Sequence, residues 1–247
     1  MISLSLQAAL WGFMAGGALL LGAAIGYFVK LPKAVSSSVM AFGIGVLISA
    51  LAFDLMEEAT AAAGVSAAVT GFVFGAGLYA LANAALARAG ARERKRAGRA
   101  AAGASASLAI AVGSLLDGVP ESAAIGISLL DGEGVALVTL LAIFVSNVPE
   151  GLSSSIGMKA AGKSAGYVFG IWASIAVACG LSAFLGYAVI GALNPFFIGA
   201  AIACAAGAIF VMLIDTMIPE AFEDIHNWSG PIAAAGFLFA FAAGHLL

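Results

Sequence analysis

Three acidic side chains lie in the middle of long apolar segments, where a charge is costly. Asp117 and Glu121 share one segment, and Glu150 lies in the next segment along the chain. Residues i and i+4 lie on one face of a helix, so Asp117 and Glu121 are predicted to point the same way. Neither segment contains Lys or Arg. Carboxylates in apolar surroundings then need a proton or a cation to offset their repulsion, and the pattern indicates cation binding.

Each of these two segments places a proline directly before its glutamate. Pro120 precedes Glu121, and Pro149 precedes Glu150. The two pairs lie near the middle of neighbouring apolar segments that are each long enough to span a membrane. They therefore predict an oxygen-rich cluster near the membrane midplane. Its candidate ligands are Asp117, Glu121, Ser146, Asn147 and Glu150. The alternative is that the prolines are simple kinks and that the carboxyl groups are protonated and hydrogen-bonded within the packing.

Further acids lie nearer the ends of apolar segments. Asp54 precedes Glu57 in one of them, and Asp215 precedes Glu220 in another. The two stretches look alike if one gap is allowed, and the helices predicted to carry them run in opposite directions. This favours an inverted repeat. It also predicts an acidic mouth at each membrane surface, where carboxylates concentrate cations. Asp54 is expected to collect ions outside, and Asp215 with Glu220 to release them inside.

The composition identifies the elements that must hold these groups. Of 247 residues, 63% are hydrophobic and 9% are charged, whereas soluble domains carry about 25% charged residues. Soluble folds, disordered chains and nucleic-acid binders are therefore excluded. A membrane-spanning helix needs roughly 20 apolar residues, so eight of them need about 160. The fold class predicted is an all-α polytopic membrane protein with eight transmembrane helices.

Short polar segments divide the chain into eight predicted helices, H1 to H8. Together these form a single transmembrane domain covering residues 1–247. H1–H3 and H6–H8 would form the inverted repeat around the central H4 and H5. Their approximate ranges are 4–29, 36–60, 66–89, 104–130, 135–158, 165–192, 196–222 and 229–247.

Lys and Arg determine the predicted orientation. The ten basic residues fall in three places: the H1–H2 connection, the region of the H3–H4 loop, and the H5–H6 connection. The basic H3–H4 loop covers residues 90–103. With eight helices these connections share one side, and cytoplasmic loops are enriched in Lys and Arg. Both termini are therefore expected outside a cytoplasmic (inner) membrane.

These features resemble the ZIP (Zrt/Irt-like) family of divalent-metal transporters over nearly the whole chain. The resemblance lies in the eight-helix order, the basic loop and the Pro-Glu motifs. The chain is a divergent member by this comparison, because Asp117 and Ser146 occupy the positions of the usual histidines of H4 and H5. The resemblance implies a metal site at the five candidate ligands, and an elevator motion of H1, H4, H5 and H6 against H2, H3, H7 and H8.

The leading hypothesis is a divalent metal-ion transporter for zinc, iron or manganese. An all-oxygen ligand set suits harder cations such as Mn²⁺, Mg²⁺ or Fe²⁺, whereas the family resemblance favours zinc or iron-like metals. The cation is a substrate, and no prosthetic group is expected. The partners expected are the metal ion and the lipid bilayer, with a homodimer as an open option. Nucleic acid is not an expected partner.

The alternative hypothesis keeps the fold and changes the function. The chain would then have lost metal transport, and would act as a proton-linked or other solute carrier, or as a non-transporting membrane partner. Replacement of both family histidines motivates it. An enzyme is not predicted, because the sequence has no His-Glu-x-x-His motif and no histidine beside a serine within a membrane segment.

Overall fold

The computed structural model describes residues 3–86, 88, 104–131 and 137–246. The predicted basic loop at 90–103 lies outside the described residues. The described residues are 94% helical and contain no β-strand. The all-α class predicted from the composition is confirmed.

Nine α-helices account for most of the described residues. They are α1 (Leu4–Phe28), α2 (Lys33–Ser49), α3 (Met56–Leu86), α4 (Ala104–Ser128), α5 (Leu137–Ala160), α6 (Ala165–Ala188), α7 (Pro195–Met212), α8 (Ile218–Ile225) and α9 (Ser229–Leu246). Two π-helical turns, Ala50–Leu55 and Leu213–Met217, join α2 to α3 and α7 to α8.

Polar residues begin several of the helices. Ser164 caps α6 by accepting a hydrogen bond from the backbone N–H of Tyr167 (3.3 Å). Asn194 caps α7 in the same way, accepting from the N–H of Phe197 (3.3 Å), and Pro195 follows at the first helical position. These caps satisfy N–H groups that a helix start leaves without a partner.

Two positive φ angles interrupt the long helical stretches. Gly64 has φ 77° and ψ 170° inside α3, a conformation that essentially only glycine adopts. His226 has φ 43° directly after α8. The chain therefore leaves the helical path at both positions.

Four helical stretches of the described residues are long and apolar enough to cross a membrane. They are Leu4–Phe28, Lys33–Ala85, Ala165–Ala192 and Pro195–Leu246. These stretches are compatible with a multi-pass membrane protein. Although α4 and α5 contain 25 and 24 residues, they are not among the four, and they are the helices that carry the Pro-Glu pairs.

The helices pack as two bundles. In the site bundle, α1 packs along α5 and α6, and α4 packs along α6. The remaining helices, α2, α3, α7, α8 and α9, are named here the flanking bundle. They form two units, α3 packed along α7 and α2 packed along α8 and α9, which are linked through the π-helical turns Ala50–Leu55 and Leu213–Met217. The bundles meet chiefly where α2 contacts α5 and where α4 contacts α7.

Packing within each bundle depends on close approach of backbones at glycine. A β-carbon added at Gly22 of α1 would collide with the carbonyl oxygen of Val148 on α5. One added at Gly45 of α2 would collide with the carbonyl oxygen of Ala233 on α9. Small residues permit this close packing in membrane proteins. Between the bundles the contact is looser, since a β-carbon at Gly43 of α2 would lie 3.2 Å from the Cα atom of Ser146.

Candidate functional site

The two acids of α4 are buried one helical turn apart. Asp117 is 2% exposed and Glu121 is 1% exposed. Pro120 lies inside the helix between them. Asp117 Oδ1 accepts a hydrogen bond from the hydroxyl of Tyr79, a buried residue of α3. The shared face predicted from the i, i+4 spacing therefore places both carboxyl groups inside the protein, and one of them contacts the flanking bundle.

The third acid, Glu150, is held by a hydroxyl of the neighbouring helix. Its side chain is 8% exposed, and Oε1 accepts a hydrogen bond of 2.7 Å from Ser114 Oγ on α4. Pro149 lies inside α5 directly before it. Ser114 precedes Asp117 by three residues, so one face of α4 supplies both an acid and the donor that orients Glu150.

The polar neighbours of Glu150 also bind the surrounding helices. The Asn147 side-chain N–H₂ group donates to the carbonyl oxygen of Ala15 on α1 (3.0 Å), which leaves its amide oxygen as an acceptor. The Ser146 hydroxyl donates to the carbonyl oxygen of Ile143 in its own helix (2.9 Å). Both residues are buried. Asn147 therefore holds α5 against α1, whereas the Ser146 hydroxyl is bonded within its own helix.

The predicted ligands lie in the middle of α4 and α5, but the structure does not group the three acids for metal binding. Among the described residues, no group of three or more His, Cys, Asp or Glu side chains is arranged to hold a metal ion. Asp117 and Glu150 are instead held by hydroxyl groups of Tyr79 and Ser114. A cation bound by all three carboxylates would require these side chains to move together.

Carbonyl oxygens beside Pro120 also receive side-chain donors. Ser182 Oγ of α6 donates to the carbonyl oxygen of Val119 (2.7 Å), and Cys179 Sγ donates a long contact of 3.8 Å to that of Gly118. These contacts attach α6 to the kinked part of α4. No acid lies on α6, so its contribution to the site consists of a hydroxyl and a thiol.

A cavity of about 200 Å³, named here the His245 cavity, lies where α2 runs into α3. Asp54, Glu57 and His245 are among the residues that line it. Thr139 of α5 donates to Asp54 Oδ2 (3.2 Å). His245 Nδ1 lies 2.8 Å from the carbonyl oxygen of Phe241; because a carbonyl only accepts, this nitrogen must carry the proton. The predicted pathway residue Asp54 therefore lies at the wall of a cavity.

A second cavity of about 250 Å³, the Glu220 cavity, lies at the opposite end of α2. Ser153 of α5 donates to Glu220 Oε1 (2.5 Å), and Ser37 donates to Asp224 Oδ2 (2.9 Å). Glu223 and Lys33 also line this cavity. Its wall is thus acidic, with one lysine.

Asp215 does not line the Glu220 cavity. It lies in the π-helical turn Leu213–Met217, and its Oδ2 accepts a hydrogen bond of 3.3 Å from the Asn83 side chain of α3. The side chain is exposed. The structure therefore places Glu220, but not Asp215, at the wall of this cavity.

Sequence reasoning missed the hydroxyl donors Tyr79, Ser114, Thr139 and Ser153. Two of them had a detectable pattern: Ser114 lies three residues before Asp117, and Ser153 lies three residues after Glu150, on their helix faces. Tyr79 and Thr139 have no acid three or four residues away in the sequence, so no spacing indicates their contacts. No protein-family model matches the chain, and no curated protein matches it either.

Proposed function

We propose that the protein is a divalent metal-ion transporter of the cytoplasmic membrane. The observation that carries this proposal is the burial of Asp117, Glu121 and Glu150 inside a protein of apolar, membrane-length helices. Ionisable groups at membrane depth are costly and mark ion pathways. Asn147 adds an amide oxygen to the proposed cation site, and Ser146 is a weaker ligand.

Eight membrane crossings are part of the proposal. The stretches Lys33–Ala85 and Pro195–Leu246 contain 53 and 52 residues. At about 1.5 Å per residue, a straight helix of this size would be about 80 Å long, far beyond a hydrocarbon core of about 30 Å. The breaks at Gly64 and His226 support two crossings for each stretch. With α1, α4, α5 and α6 this makes eight, and both termini would then face outside.

The inverted repeat is supported by matching glycine contacts. A β-carbon at Gly45 of α2 would meet the carbonyl oxygen of Ala233 on α9, and one at Gly207 of α7 would meet that of Phe72 on α3. If H2 is equivalent to H7 and H8 to H3, these are the same contact in the two halves.

The acidic segments that look alike in sequence are also alike in backbone. Asp54 lies in the π-helical turn Ala50–Leu55, and Asp215 lies in the π-helical turn Leu213–Met217. Such turns are rare and often occur at functional sites. Their occurrence at corresponding places in α2–α3 and α7–α8 supports both the repeat and a functional role for the two aspartates.

An ion path would connect the two cavities through the central carboxylates. Asp54 lines the His245 cavity and Glu220 lines the Glu220 cavity, at opposite ends of α2. Each of these acids is bonded to a hydroxyl of α5, the helix that carries Glu150. In this proposal the His245 cavity faces outside and the Glu220 cavity faces the cytoplasm, with an acid at each step.

The two bundles support an elevator-type motion. Within each bundle, added β-carbons would collide with backbone carbonyl oxygens, whereas at Gly43, between the bundles, a β-carbon would lie 3.2 Å from the Cα atom of Ser146. A rigid unit that slides past another is expected to have this division of contacts. The site bundle contains the same helices, H1, H4, H5 and H6, that the ZIP resemblance assigns to the moving unit. The proposed ions are zinc, iron or manganese, and the oxygen ligands favour the harder of these.

Metal flux into proteoliposomes tests the proposal. Wild-type protein is expected to carry Mn²⁺ or Zn²⁺, and Glu121→Gln and Glu150→Gln are each expected to reduce the flux at least tenfold, since each removes one anionic ligand. Glu58→Gln is the matched control, because Glu58 lines neither cavity and is not one of the proposed ligands. Flux that is unchanged in both site variants would refute the assignment.

One observation favours the alternative of a fold that no longer transports metal. Hydroxyl groups hold Asp117 and Glu150, and no group of three His, Cys, Asp or Glu among the described residues is arranged for a metal ion. Such carboxyls could carry protons instead. Proton flux into proteoliposomes in metal-free buffer, abolished by Glu150→Gln, would favour a proton-linked carrier. Metal flux without a requirement for a proton gradient would exclude it.

A further inference from the structure

Tyr79 enters the central site from the flanking bundle. It is 3% exposed, and its hydroxyl donates to Asp117 Oδ1. Tyr79 belongs to α3, whereas Asp117 belongs to α4 of the site bundle. This hydrogen bond therefore fastens one bundle to the other through a carboxylate that is also a proposed cation ligand.

Two other hydrogen bonds repeat this arrangement nearer the ends of the molecule. Thr139 of α5 donates to Asp54 (3.2 Å), and Ser153 of α5 donates to Glu220 (2.5 Å). In each, a hydroxyl of one bundle binds a carboxylate of the other. A hydroxyl–carboxylate bond can be exchanged for another carboxylate partner, whereas the backbone contacts at glycine within a bundle cannot. A cation that binds these carboxylates can therefore displace the hydroxyl groups that hold the two bundles together.

Tyr79 could act on a cation site in two opposite ways. It could orient Asp117 as a ligand, since ligating carboxylates commonly accept hydrogen bonds from neighbouring groups. It could instead hold Asp117 away from the site. The second role fits the geometry, because Asp117, Glu121 and Glu150 are not assembled for a metal ion while Tyr79 holds Asp117. In this second role, Asp117 would leave Tyr79 before the three carboxylates could converge on a cation.

We propose that Tyr79 is a gating residue whose hydroxyl competes with the cation for Asp117. Opening this bond completes the cation site and at the same time releases the site bundle from the flanking bundle at the membrane midplane. This proposal rests on the proposed transport function. Because linkage is reciprocal, whatever weakens the Tyr79–Asp117 bond must favour cation binding, and a bound cation must favour release of the bundles.

Cation affinity distinguishes gating from orientation. In purified full-length protein, Tyr79→Phe keeps the ring and removes the hydroxyl, and it is expected to tighten Mn²⁺ binding measured by titration calorimetry by about tenfold. Tyr187→Phe on α6 is the matched control and should leave the affinity unchanged. Weaker binding by Tyr79→Phe would assign Tyr79 an orienting role, and unchanged binding would assign it none. Either result overturns the proposal.

Thermal unfolding without metal tests the Tyr79–Asp117 hydrogen bond independently of cation binding. Melting temperatures are compared for wild type, Tyr79→Phe, Asp117→Asn and the double variant in buffer containing a chelator. The double variant is expected to lose less than the sum of the single losses, because both changes remove the same bond. Additive losses overturn the proposal even if metal is transported. If the losses are coupled but wild type binds neither Mn²⁺ nor Zn²⁺, the proposed function fails and the gating role fails with it.

Discussion

Ser114 donates a hydrogen bond that orients Glu150, and its removal leaves the carboxyl group itself unchanged. Ser114→Ala deletes the 2.7 Å donor to Glu150 Oε1 and is expected to lower the free energy of unfolding by about 1 kcal/mol, the usual scale for such a bond in a protein or a membrane. Thermal unfolding in detergent measures the change. Ser174→Ala is the control, since that exposed hydroxyl donates only to its own helix, at Ile171. Equal losses in the two variants would contradict a specific role for Ser114.

The buried acids could be predicted from the sequence, but only some of their hydrogen-bond partners could. The depth of Asp117, Glu121 and Glu150 follows from the apolar sequence around them, and all three are buried. Tyr79 could not be predicted, because the pairing of α3 with α4 depends on tertiary packing. The same is true of Asn147, whose amide N–H₂ group binds a carbonyl oxygen of α1.

A close backbone contact holds α1 against α5. Gly22 faces the backbone of α5 so closely that a β-carbon would collide with the carbonyl oxygen of Val148. Gly22→Ala is therefore expected to cost about 1–3 kcal/mol, the range for overpacking. Gly17→Ala in the same helix meets nothing within 4 Å and should be nearly neutral. Thermal unfolding compares the two, and an equal shift would argue against close α1–α5 packing.

The break in α3 depends on backbone conformation rather than on the space around the residue. Gly64 has φ 77°, and a β-carbon there would meet nothing within 4 Å, so Gly64→Ala tests backbone strain alone. We expect a loss of about 1–3 kcal/mol. Gly77→Ala also enters open space, without a positive φ, and should gain up to about 1 kcal/mol from helix propensity. Melting temperatures that shift in the same direction in both variants would contradict the assigned role of Gly64.

Helix boundaries can be predicted from the sequence, whereas local changes from α-helix to π-helix cannot. Pro32, Asn194 and Pro195 mark ends and starts that follow from proline and capping chemistry, and the structure has helix boundaries there. The structure divides the predicted H7 at the turn Leu213–Met217. A π-helical turn shifts backbone hydrogen bonding by one residue and leaves no periodic pattern in an apolar sequence.

Which helices pack against each other could not be predicted from the sequence. The chain has 32 glycines, and many of them occur at a spacing that suits helix packing. Which helix each glycine faces depends on the whole arrangement: Gly45 faces α9, and Gly71 faces α7. The division into a site bundle and a flanking bundle is therefore structural information, and it separates the three acids of the site from the acids of the two cavities.

The orientation of the whole molecule can be tested at the two cavities. Glu57 lines the His245 cavity and Glu223 lines the Glu220 cavity, and both side chains are exposed. In a background with Cys179 and Cys204 changed to Ala, we expect Glu57→Cys in intact cells to react with a membrane-impermeant maleimide. Glu223→Cys should react only after permeabilisation, because the eight-crossing topology puts it on the side of Lys30, Lys33, Lys159 and Lys163. Labelling of both from one side would contradict that topology, and the path proposed between the cavities would then not cross the membrane.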